Sequence, residues 1–460
     1  MPQRCSQRLD AIPDLLRLSE HFPGRFPYLL ESTAHGLLGA RSILPFASGE
    51  KLVAPAGATD RFFDRLERRY QDERSDDEAD PGPDRHFAFS GGWFLYLGYE
   101  MASEIEPCLA LPAHCCGLPD AVAHRCHGAV VVEHAPGDDA DEQAWAVAES
   151  REILAIILDC VEQAGRVPQQ QSWFEGPDLL ELDVEEPSRF RDAVTRILEY
   201  LAAGDVFQVN ISRGWSGRFR FAPNPLSLYA ALCQANPAPF AGLMRWEDKV
   251  LMSSSPERLV QCRGRQVQTR PIAGTRPRGE GQDDDQFLSQ ELIGHPKERA
   301  EHVMLIDLER NDLGRVCRPG TVEVNELMVI ESYAHVHHIV SNVRGQLRDH
   351  VSPVDAVRAV FPGGTITGCP KVRCMEIIAE LEETGRGFYT GSMGYLGTDG
   401  SLDLNILIRS MLLQGAKFSL RTGAGIVADS EPEREVAETE DKARGLLLAL
   451  EYLGREKKHA

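Results

Sequence analysis

The sequence predicts an α+β fold, because strand-like and helix-like segments follow one another without regular alternation. Short runs of β-branched and aromatic residues predict the strands, and longer stretches with apolar residues at helical spacing predict the helices. No internal repeat is visible along the 460 residues. A doubly wound parallel sheet, which needs regular strand–helix alternation, is therefore not expected.

The first part of the chain has a mixed pattern. Residues 71–84 are acidic and contain a Pro-Gly-Pro triplet, which is typical of a solvated loop. Residues 87–99 and 128–134 predict buried strands, and apolar spacing over 140–164 predicts a helix. Residues 165–187 combine Gly, Pro, a Gln run and acidic side chains, and are the best candidate for a linker.

The patterns are clearer beyond this linker. Helices are predicted at 188–203, 297–311, 371–382 and 433–453, and strands at 205–212, 250–254, 259–263, 392–396, 404–413 and 417–421. Glycines at 361–368 and 422–427 predict turns whose N–H groups can approach an anion. Neither turn has the ending of a nucleotide-binding P-loop. His335, His337 and His338 lack a spaced partner cluster for zinc and favour a single histidine at a substrate.

Composition excludes several classes of protein. A net charge of −21 argues against nucleic-acid binding. There is no apolar run of about 18 residues and no signal-peptide pattern, so a cytoplasmic protein is expected. The eleven scattered cysteines predict reduced thiols. An acidic protein that binds an anion needs convergent cationic side chains or a bound cation.

Two predicted helices carry carboxylates three residues apart. The pairs are Glu298 with Glu301, and Glu435 with Glu438. Residues at this spacing share one helix face, and two such pairs facing each other would form an oxygen-rich site for magnesium. Glutamate pairs of this kind are usually solvated, so the spacing alone leaves both interpretations open.

Six motifs resemble those of the chorismate-utilising enzymes, which include anthranilate synthase large subunits, aminodeoxychorismate synthase component I, and isochorismate and salicylate synthases. They are Ser254-Ser-Pro-Glu-Arg258, Arg270-Pro-Ile-Ala-Gly-Thr275, Lys297-Glu-Arg-Ala-Glu-His302, Asp307-Leu-Glu-Arg-Asn-Asp-Leu-Gly314, residues 361–371 and Gly423-Ala-Gly-Ile-Val-Ala-Asp-Ser430. The resemblance implies two stacked, mostly antiparallel sheets with outer helices. It implies that 188–460 form the chorismate-binding catalytic part and 1–187 the variable N-terminal part.

The resemblance also implies a magnesium cofactor. Glu301 and Glu438 resemble the direct ligands of the ion, whereas Glu298 and Glu435 resemble partners that act through water. Magnesium would neutralise part of the charge of chorismate, which carries two carboxylates on a small ring.

At the anionic end of the substrate, Tyr389 and Arg409 match positions that hold a carboxylate. The backbone N–H of Gly425 and the side chain of Lys442 would support the same end. Since the protein is strongly acidic, these groups are the local cationic site that an anionic substrate requires.

At the substrate ring, Glu257 matches the general acid that helps the C4 hydroxyl to leave, and His338 matches the histidine beside that hydroxyl. Gly274 and Thr275 would line the C2 side of the ring, next to Ala273. A carboxyl can donate a proton at neutral pH only if its surroundings raise its pKa.

Several residues favour one member of the family. Gln208 stands where isochorismate and salicylate synthases place a lysine base, which favours ammonia as the nucleophile. Asn210, Gly364 and residues 236–240 resemble aminodeoxychorismate synthase, which leads to 4-aminobenzoate and folate. Ala273 instead matches anthranilate synthases, because the familiar aminodeoxychorismate synthase has a lysine that attacks C2. We expect aminodeoxychorismate as product; anthranilate synthase and a non-catalytic chorismate- or tryptophan-binding relative are the alternatives.

Two further expectations follow from the resemblance. The sequence shows no glutaminase motif, which implies a separate glutamine amidotransferase subunit that supplies ammonia. Leu30, Glu31 and Ser32 resemble a motif that lines a tryptophan pocket, and Pro239 and Phe240 would form the opposite wall. An ordinary strand is the alternative interpretation of this N-terminal motif.

Overall fold

The computed structural model describes residues 4–34, 39–57, 61–74, 87–134, 142–166, 179–279, 281–332 and 336–455. The helices are α1 Leu15–His21, α2 Phe62–Glu73, α3 Ala102–Ile105, α4 Arg151–Arg166, α5 Pro187–Ala203, α6 Pro225–Ala235, α7 Gln282–Gly294, α8 Pro296–Gly314, α9 Pro353–Val360, α10 Lys371–Glu382 and α11 Pro432–Arg455. Short 3-10 helices span Tyr99–Met101 and Gly364–Ile366.

The first ten strands are β1 Cys5–Arg8, β2 Tyr28–Glu31, β3 Arg41–Ala54, β4 Gly92–Leu97, β5 Ala121–Glu133, β6 Gln143–Ala148, β7 Leu179–Val184, β8 Gln208–Phe219, β9 Phe240–Trp246 and β10 Lys249–Ser255. The remaining strands are β11 Arg258–Arg263, β12 Gln266–Thr269, β13 Ile272–Pro277, β14 Glu323–Ser332, β15 Val336–Gln346, β16 Gly368–Cys369, β17 Ser392–Gly397, β18 Leu402–Asn405, β19 Ser410–Gln414 and β20 Lys417–Ile426.

All of these strands except β16, which pairs with β8, form two antiparallel ladders that share β5. The first ladder runs β1-β6-β5-β3-β2-β9-β10-β19-β20-β8-β7. The second runs β5-β4-β17-β18-β11-β12-β15, and β15 also pairs with β13 and β14. One end of β5 pairs with β4 and the other end with β6, so the chain passes from one ladder to the other within a single strand.

The two ladders pack face to face around an aromatic core. Tyr28 on β2 stacks on Phe94 on β4, with ring centroids 3.7 Å apart, and Met244 and Met393 join the same buried cluster. Helices α1, α4, α6 and α11 cover the outside of the first ladder, and α2, α8 and α9 cover the second. This arrangement confirms the predicted α+β fold with antiparallel layers and outer helices.

One predicted strand, 404–413, is two strands in the structure. β18 belongs to the second ladder and β19 to the first, so residues 406–409 cross between the layers. Arg409 at the end of this crossover has a φ of 52°, in the left-handed region. The apolar pattern continues through the crossover because both of its flanks are buried, which is why the sequence predicts one uninterrupted strand.

Two other predictions require correction. Residues 422–427 were expected to form a turn, but β20 continues to Ile426 and pairs with β8. The expected helix over 140–164 begins only at Arg151, because residues 143–148 form β6 and pair with β5. Short apolar segments fit helical and strand periods equally well, and the tertiary pairing decides between them.

Other predicted segments agree with the structure or fall outside it. The helix over 371–382 matches α10, and the helix over 433–453 lies within α11. Most of the candidate linker and of the acidic 71–84 loop lies outside the described residues. All eleven cysteines are unpaired, and no helix in the described part of the chain is long and apolar enough to cross a bilayer.

Candidate active site

The crossover between β18 and β19 places a buried arginine among the predicted site residues. Tyr389, Glu438 and Glu257 lie close enough for their charges to act on Arg409, and Arg409 acts in turn on His338. Burial lowers the pKa of Arg409, but an arginine side chain stays protonated in proteins. Arg409 is therefore the positive centre of a site whose parts come from both ladders.

Glu257 lies in the turn between β10 and β11, with its side chain buried. Thr365 Oγ1 donates a hydrogen bond to Glu257 Oε1 at 2.7 Å. Burial raises the pKa of Glu257 to about 7, against the hydrogen bonds from Thr365 and the Ile272 N–H and the charges of Arg409 and Lys442. A carboxyl with this pKa is protonated in a large fraction of molecules at neutral pH and can deliver its proton to a substrate.

Strand β13 forms the neighbouring wall. Ala273 and Thr275 lie opposite Ile339 and His338 of β15, and the register shifts at Gly274, whose φ is 66°. His338 Nδ1 lies 3.4 Å from the carbonyl oxygen of Gly274, and burial lowers the pKa of His338 to about 4, so its imidazole is neutral. The side chain of Thr275 lies outside the described part of the structure, and its role stays a prediction.

The end of β20 and helix α11 supply the third wall. A Cβ atom added to Gly423 would lie 2.8 Å from the Tyr389 hydroxyl, so the tyrosine packs directly on the strand backbone. Lys442 Nζ donates to the Gly423 carbonyl at 2.8 Å and lies 2.6 Å from Glu438 Oε1. Gly425 is two residues further along β20 on the same face as Gly423. The structure thus brings the four predicted anion-binding residues to one region.

The predicted metal carboxylates lie on α8 and α11. On α8, Glu298 Oε1 is 3.4 Å from Arg276 Nη1, and Glu298 Oε2 would lie 2.8 Å from a Cβ on Gly274, so this carboxylate faces β13. Glu301 on the same helix is half-buried. Glu298 of α8 therefore points toward the wall that carries Gly274.

On α11, Glu435 is buried and Glu438 is exposed beside Lys442. No three of the four glutamates, all of which the structure describes, have oxygens within 4.8 Å of one another. Magnesium commonly takes one or two protein carboxylates and completes its shell with water and substrate oxygens. The four carboxylates therefore do not form an all-protein cage, and direct binding of an ion by Glu301 and Glu438 stays a prediction.

The sequence did not indicate what two residues of the site, Asn210 and Thr365, do in the structure. Asn210 Nδ2 donates to the Thr365 carbonyl at 2.7 Å, and the Thr365 hydroxyl donates to Glu257. Thr365 lies inside the glycine-rich segment 361–368, whose glycines indicate a role for backbone N–H groups rather than for a side chain. The useful signal is the pair of threonines in that segment, Thr365 and Thr367, because either hydroxyl can donate to a buried carboxyl.

A buried ion pair braces the loop that carries Tyr389. Arg386 Nη2 lies 2.7 Å from Glu382 Oε1, and both side chains are at most 2% exposed. The guanidinium also donates to the Asn210 carbonyl at 2.8 Å and lies over the Tyr389 ring at 5.6 Å. Because the pair connects β8, α10 and this loop, it fixes Tyr389 relative to the glycine-rich strand.

A separate cavity lies between the ladders. Its volume is about 270 Å³, and its walls include all five residues predicted for a tryptophan pocket: Leu30, Glu31, Ser32, Pro239 and Phe240. Ser32 Oγ donates to the Pro239 carbonyl at 2.6 Å, which joins the two predicted walls. Arg258, next to Glu257 in sequence, lies over the Phe240 ring at 4.9 Å. Consecutive residues of one segment thus face the cavity and the candidate active site.

Known proteins are similar to this chain in sequence and in fold. Residues 28–448 match the family described as chorismate binding enzyme. The chain is 43% identical over 371 residues to an "anthranilate synthase component I-like protein" of Synechocystis, covering 80% of this chain and 74% of that protein. It is 42% identical over 380 residues to "aminodeoxychorismate synthase component 1" of Bacillus subtilis, covering 80% and 79%. The crystal structure of anthranilate synthase component I from Streptococcus pneumoniae superposes with a TM-score of 0.77 at 30% identity, covering 90% and 93%.

The hydrogen bond between Thr365 and Glu257 generates a test of the site. Thr365→Val should raise the pKa of Glu257 above its present value of about 7, because the lost hydrogen bond stabilises the ionised carboxylate. Infrared difference spectroscopy of the carboxyl band measures this pKa, and Glu257→Gln assigns the band. Thr321→Val, at a partly exposed threonine that donates to the Arg318 carbonyl, is the matched control. An unchanged pKa in Thr365→Val would contradict the described contact.

Proposed function

The chain belongs to the family of chorismate-binding enzymes, and from this membership we propose that it replaces the C4 hydroxyl of chorismate with an amino group. The product is aminodeoxychorismate, the precursor of 4-aminobenzoate and folate. The chain thereby acts as component I of an aminodeoxychorismate synthase, and ammonia comes from a separate glutamine amidotransferase subunit.

The observation that carries this proposal is a short hydrogen-bond relay to the proposed general acid. Asn210 holds Thr365 through its carbonyl at 2.7 Å, and Thr365 donates to Glu257 at 2.7 Å. Asn210 is one of the residues that resemble aminodeoxychorismate synthases, and anthranilate synthases usually lack it. This residue therefore acts, through one neighbour, on the carboxyl that protonates the departing C4 hydroxyl.

Charge complementarity supports chorismate as the substrate. Arg409 and Lys442 lie at the same end of the site within a protein of net charge −21. When bound, magnesium would supply further positive charge for a substrate carboxylate. The residues proposed to hold it are Glu301 and Glu438 directly, and Glu298 and Glu435 through water. Tyr389 completes this end with a buried hydroxyl beside Gly423.

The identity of the nucleophile rests on Gln208. This residue occupies the position of the lysine base found in isochorismate and salicylate synthases, and an amide cannot deprotonate water. Gln208 is buried, and its Nε2 would lie 2.3 Å from a Cβ on Gly425, so it packs against the strand that is proposed to bind substrate. Ammonia needs no such base to act as a nucleophile, which favours amination over hydration.

The C2 position of the substrate requires a separate account. Ala273 has no amine, so no covalent adduct forms there. In the mechanism we favour, one ammonia adds at C2 while the C4 hydroxyl leaves as water with a proton from Glu257. A second ammonia then adds at C4 and the C2 nitrogen leaves as ammonia. The net reaction consumes one ammonia and releases one water.

Ala273 is also the observation that favours the alternative, anthranilate synthase. The same 2-amino intermediate gives anthranilate if it eliminates pyruvate. Gly364 resembles aminodeoxychorismate synthases, but it distinguishes the two functions only weakly. A Cβ atom at this position would lie 2.4 Å from Leu308 Cδ2. Packing against α8 explains this glycine whichever product is formed, which leaves Asn210 as the stronger argument.

Product analysis distinguishes the two functions. The purified chain is incubated with chorismate, magnesium and high ammonium at alkaline pH, with and without a lyase that makes 4-aminobenzoate. We expect 4-aminobenzoate only when the lyase is present. A small amount of 2-amino-2-deoxyisochorismate should accumulate when ammonia is scarce, and the protein mass should stay unmodified. Anthranilate as the main product at every ammonia concentration would establish the alternative function.

Three controls accompany this experiment. Glu301→Gln and Glu438→Gln should each abolish turnover, as should excess chelator, because each removes the proposed cation. Glutamine should not replace ammonium unless an amidotransferase subunit is added. Full activity of either variant would contradict the magnesium assignment, and glutamine-dependent turnover by the isolated chain would contradict the separate partner.

We also propose that the cavity of about 270 Å³ binds tryptophan. Titration calorimetry should detect saturable binding at millimolar or lower concentration. Ala88→Trp should abolish it, because Ala88 lines the cavity and the larger side chain would fill part of it. Ala222→Trp, at an exposed alanine outside the cavity, should leave binding intact. If the unmodified protein does not bind tryptophan, the alternative interpretation of the N-terminal motif, an ordinary strand, is correct.

A further inference from the structure

A second cluster of ionisable residues lies on the far side of the loop that carries Tyr389. Glu100 follows β4, and His114 and Asp120 lie in the segment before β5. Their potential ligand atoms all lie within 4.8 Å of one another. His114 Nε2 is 2.9 Å from Asp120 Oδ1, and these side chains are 3% and 7% exposed. The three residues therefore form one buried site.

This cluster places two carboxylates beside one imidazole in a buried environment, where an uncompensated charge is costly. Glu100 accepts hydrogen bonds on both oxygens, from the N–H groups of Arg386 at 2.7 Å and Gly387 at 3.1 Å. Burial raises the pKa of Glu100, and these donors oppose that shift by stabilising the carboxylate. A divalent cation between the carboxylates would supply positive charge at the point where they converge.

Tyr96 provides an independent indication of a ligand. Its side chain is fully buried, and its hydroxyl has no hydrogen-bond partner among the residues that the structure describes. The hydroxyl interacts electrostatically with Cys116, Glu100 and Asp120 but makes no direct hydrogen bond to them. Buried hydroxyls almost always have a partner. The Tyr96 hydroxyl is therefore free to contact a ligand bound beside these carboxylates.

The surroundings of the three residues match those of metal ligands. His114 Nδ1 lies 3.2 Å from Cys116 Sγ, which orients the ring so that Nε2 faces the two carboxylates. The Gly57 N–H donates to Asp120 Oδ2 at 2.7 Å and leaves Oδ1 for the centre of the cluster. Hydrogen bonds that fix ligand orientation in this way are a regular feature of metal sites.

We propose that Glu100, His114 and Asp120 bind a divalent transition-metal ion and that this ion is Zn²⁺. A water molecule hydrogen-bonded to Tyr96 would be the fourth ligand. One imidazole and two carboxylates are a ligand set that Zn²⁺ accepts, at distances of about 2.0–2.2 Å. In a tetrahedral site this places ligand atoms roughly 3.3 Å apart. The 2.9 Å between His114 and Asp120 would need to open by only a few tenths of an ångström.

This site has a structural role distinct from the proposed magnesium site. Glu100 holds the backbone of Arg386 and Gly387, and the Gly385 N–H donates to the Ala113 carbonyl beside His114. The ion would therefore tie the segment before β5 to the loop that presents Tyr389. Zinc binding should raise the thermal unfolding midpoint, because a ligand that binds only the native state stabilises it.

Metal analysis of the untagged full-length chain tests the proposal. The protein is stripped with chelator, reloaded with Zn²⁺ in the presence of excess Mg²⁺, and its metal content is measured by mass spectrometry. We expect one zinc per chain, and less than about a tenth of that in His114→Gln or Asp120→Asn. Cys116→Ser should retain the site with roughly 10- to 100-fold weaker affinity. Mn²⁺ is the comparison ion, and saturable binding of either ion supports the site.

Two matched variants separate this site from others. His134→Gln alters another histidine paired with a carboxylate, at the surface, and should keep full zinc content. Glu301→Gln alters the proposed magnesium site and should also keep it. If a variant fails to fold, the visible absorption of the Co²⁺-loaded unmodified protein reports tetrahedral coordination directly. Zinc lost in Glu301→Gln but kept in His114→Gln, or no stoichiometric binding at all, would overturn the proposal.

Discussion

The arrangement of the site depends on a single cationic side chain held inside an acidic protein. Arg409 stands at a crossover between the two sheet layers, in a left-handed conformation that a non-glycine residue adopts at a cost of about 1–3 kcal/mol. The Ser254 N–H donates to its carbonyl at 3.0 Å and holds the crossover against β10. Such strain persists only where the surrounding structure fixes it, and here it positions a charge near Glu257, Glu438 and Tyr389.

The supporting structure consists of polar groups that satisfy one another across elements distant in sequence. The Glu382–Arg386 pair connects α10 to β8 and to the Tyr389 loop, and the cluster at Glu100 holds the other side of that loop. Removing one partner of a buried pair is far more disruptive than the weak net contribution of the pair suggests. These groups therefore act mainly by fixing geometry, and the large aromatic core between the layers provides the hydrophobic stabilisation.

The sequence predicts the fold class, most helices of the second half and the composition of the site, because each depends on local periodicity or on a continuous motif. It does not predict the break at 406–409 or the strand conformation of 422–426, since both follow from pairing with distant strands. The roles of Asn210 and Thr365 are invisible for the same reason: the two residues lie 155 positions apart. The raised pKa of Glu257 is not predictable either, because it results from burial of the side chain, which the sequence does not show.

Arg409 is proposed to bind a carboxylate of chorismate. Equilibrium binding in the absence of ammonia tests this role most directly, because no turnover then occurs. Calorimetry with magnesium present should show that Arg409→Met weakens chorismate binding by about 2–5 kcal/mol, which is at least roughly 30-fold in Kd. Arg344→Met, at an arginine paired with Glu323 on the surface, should bind as the unmodified protein does. Unchanged affinity in Arg409→Met, with the fold intact, would contradict the central role given to this residue.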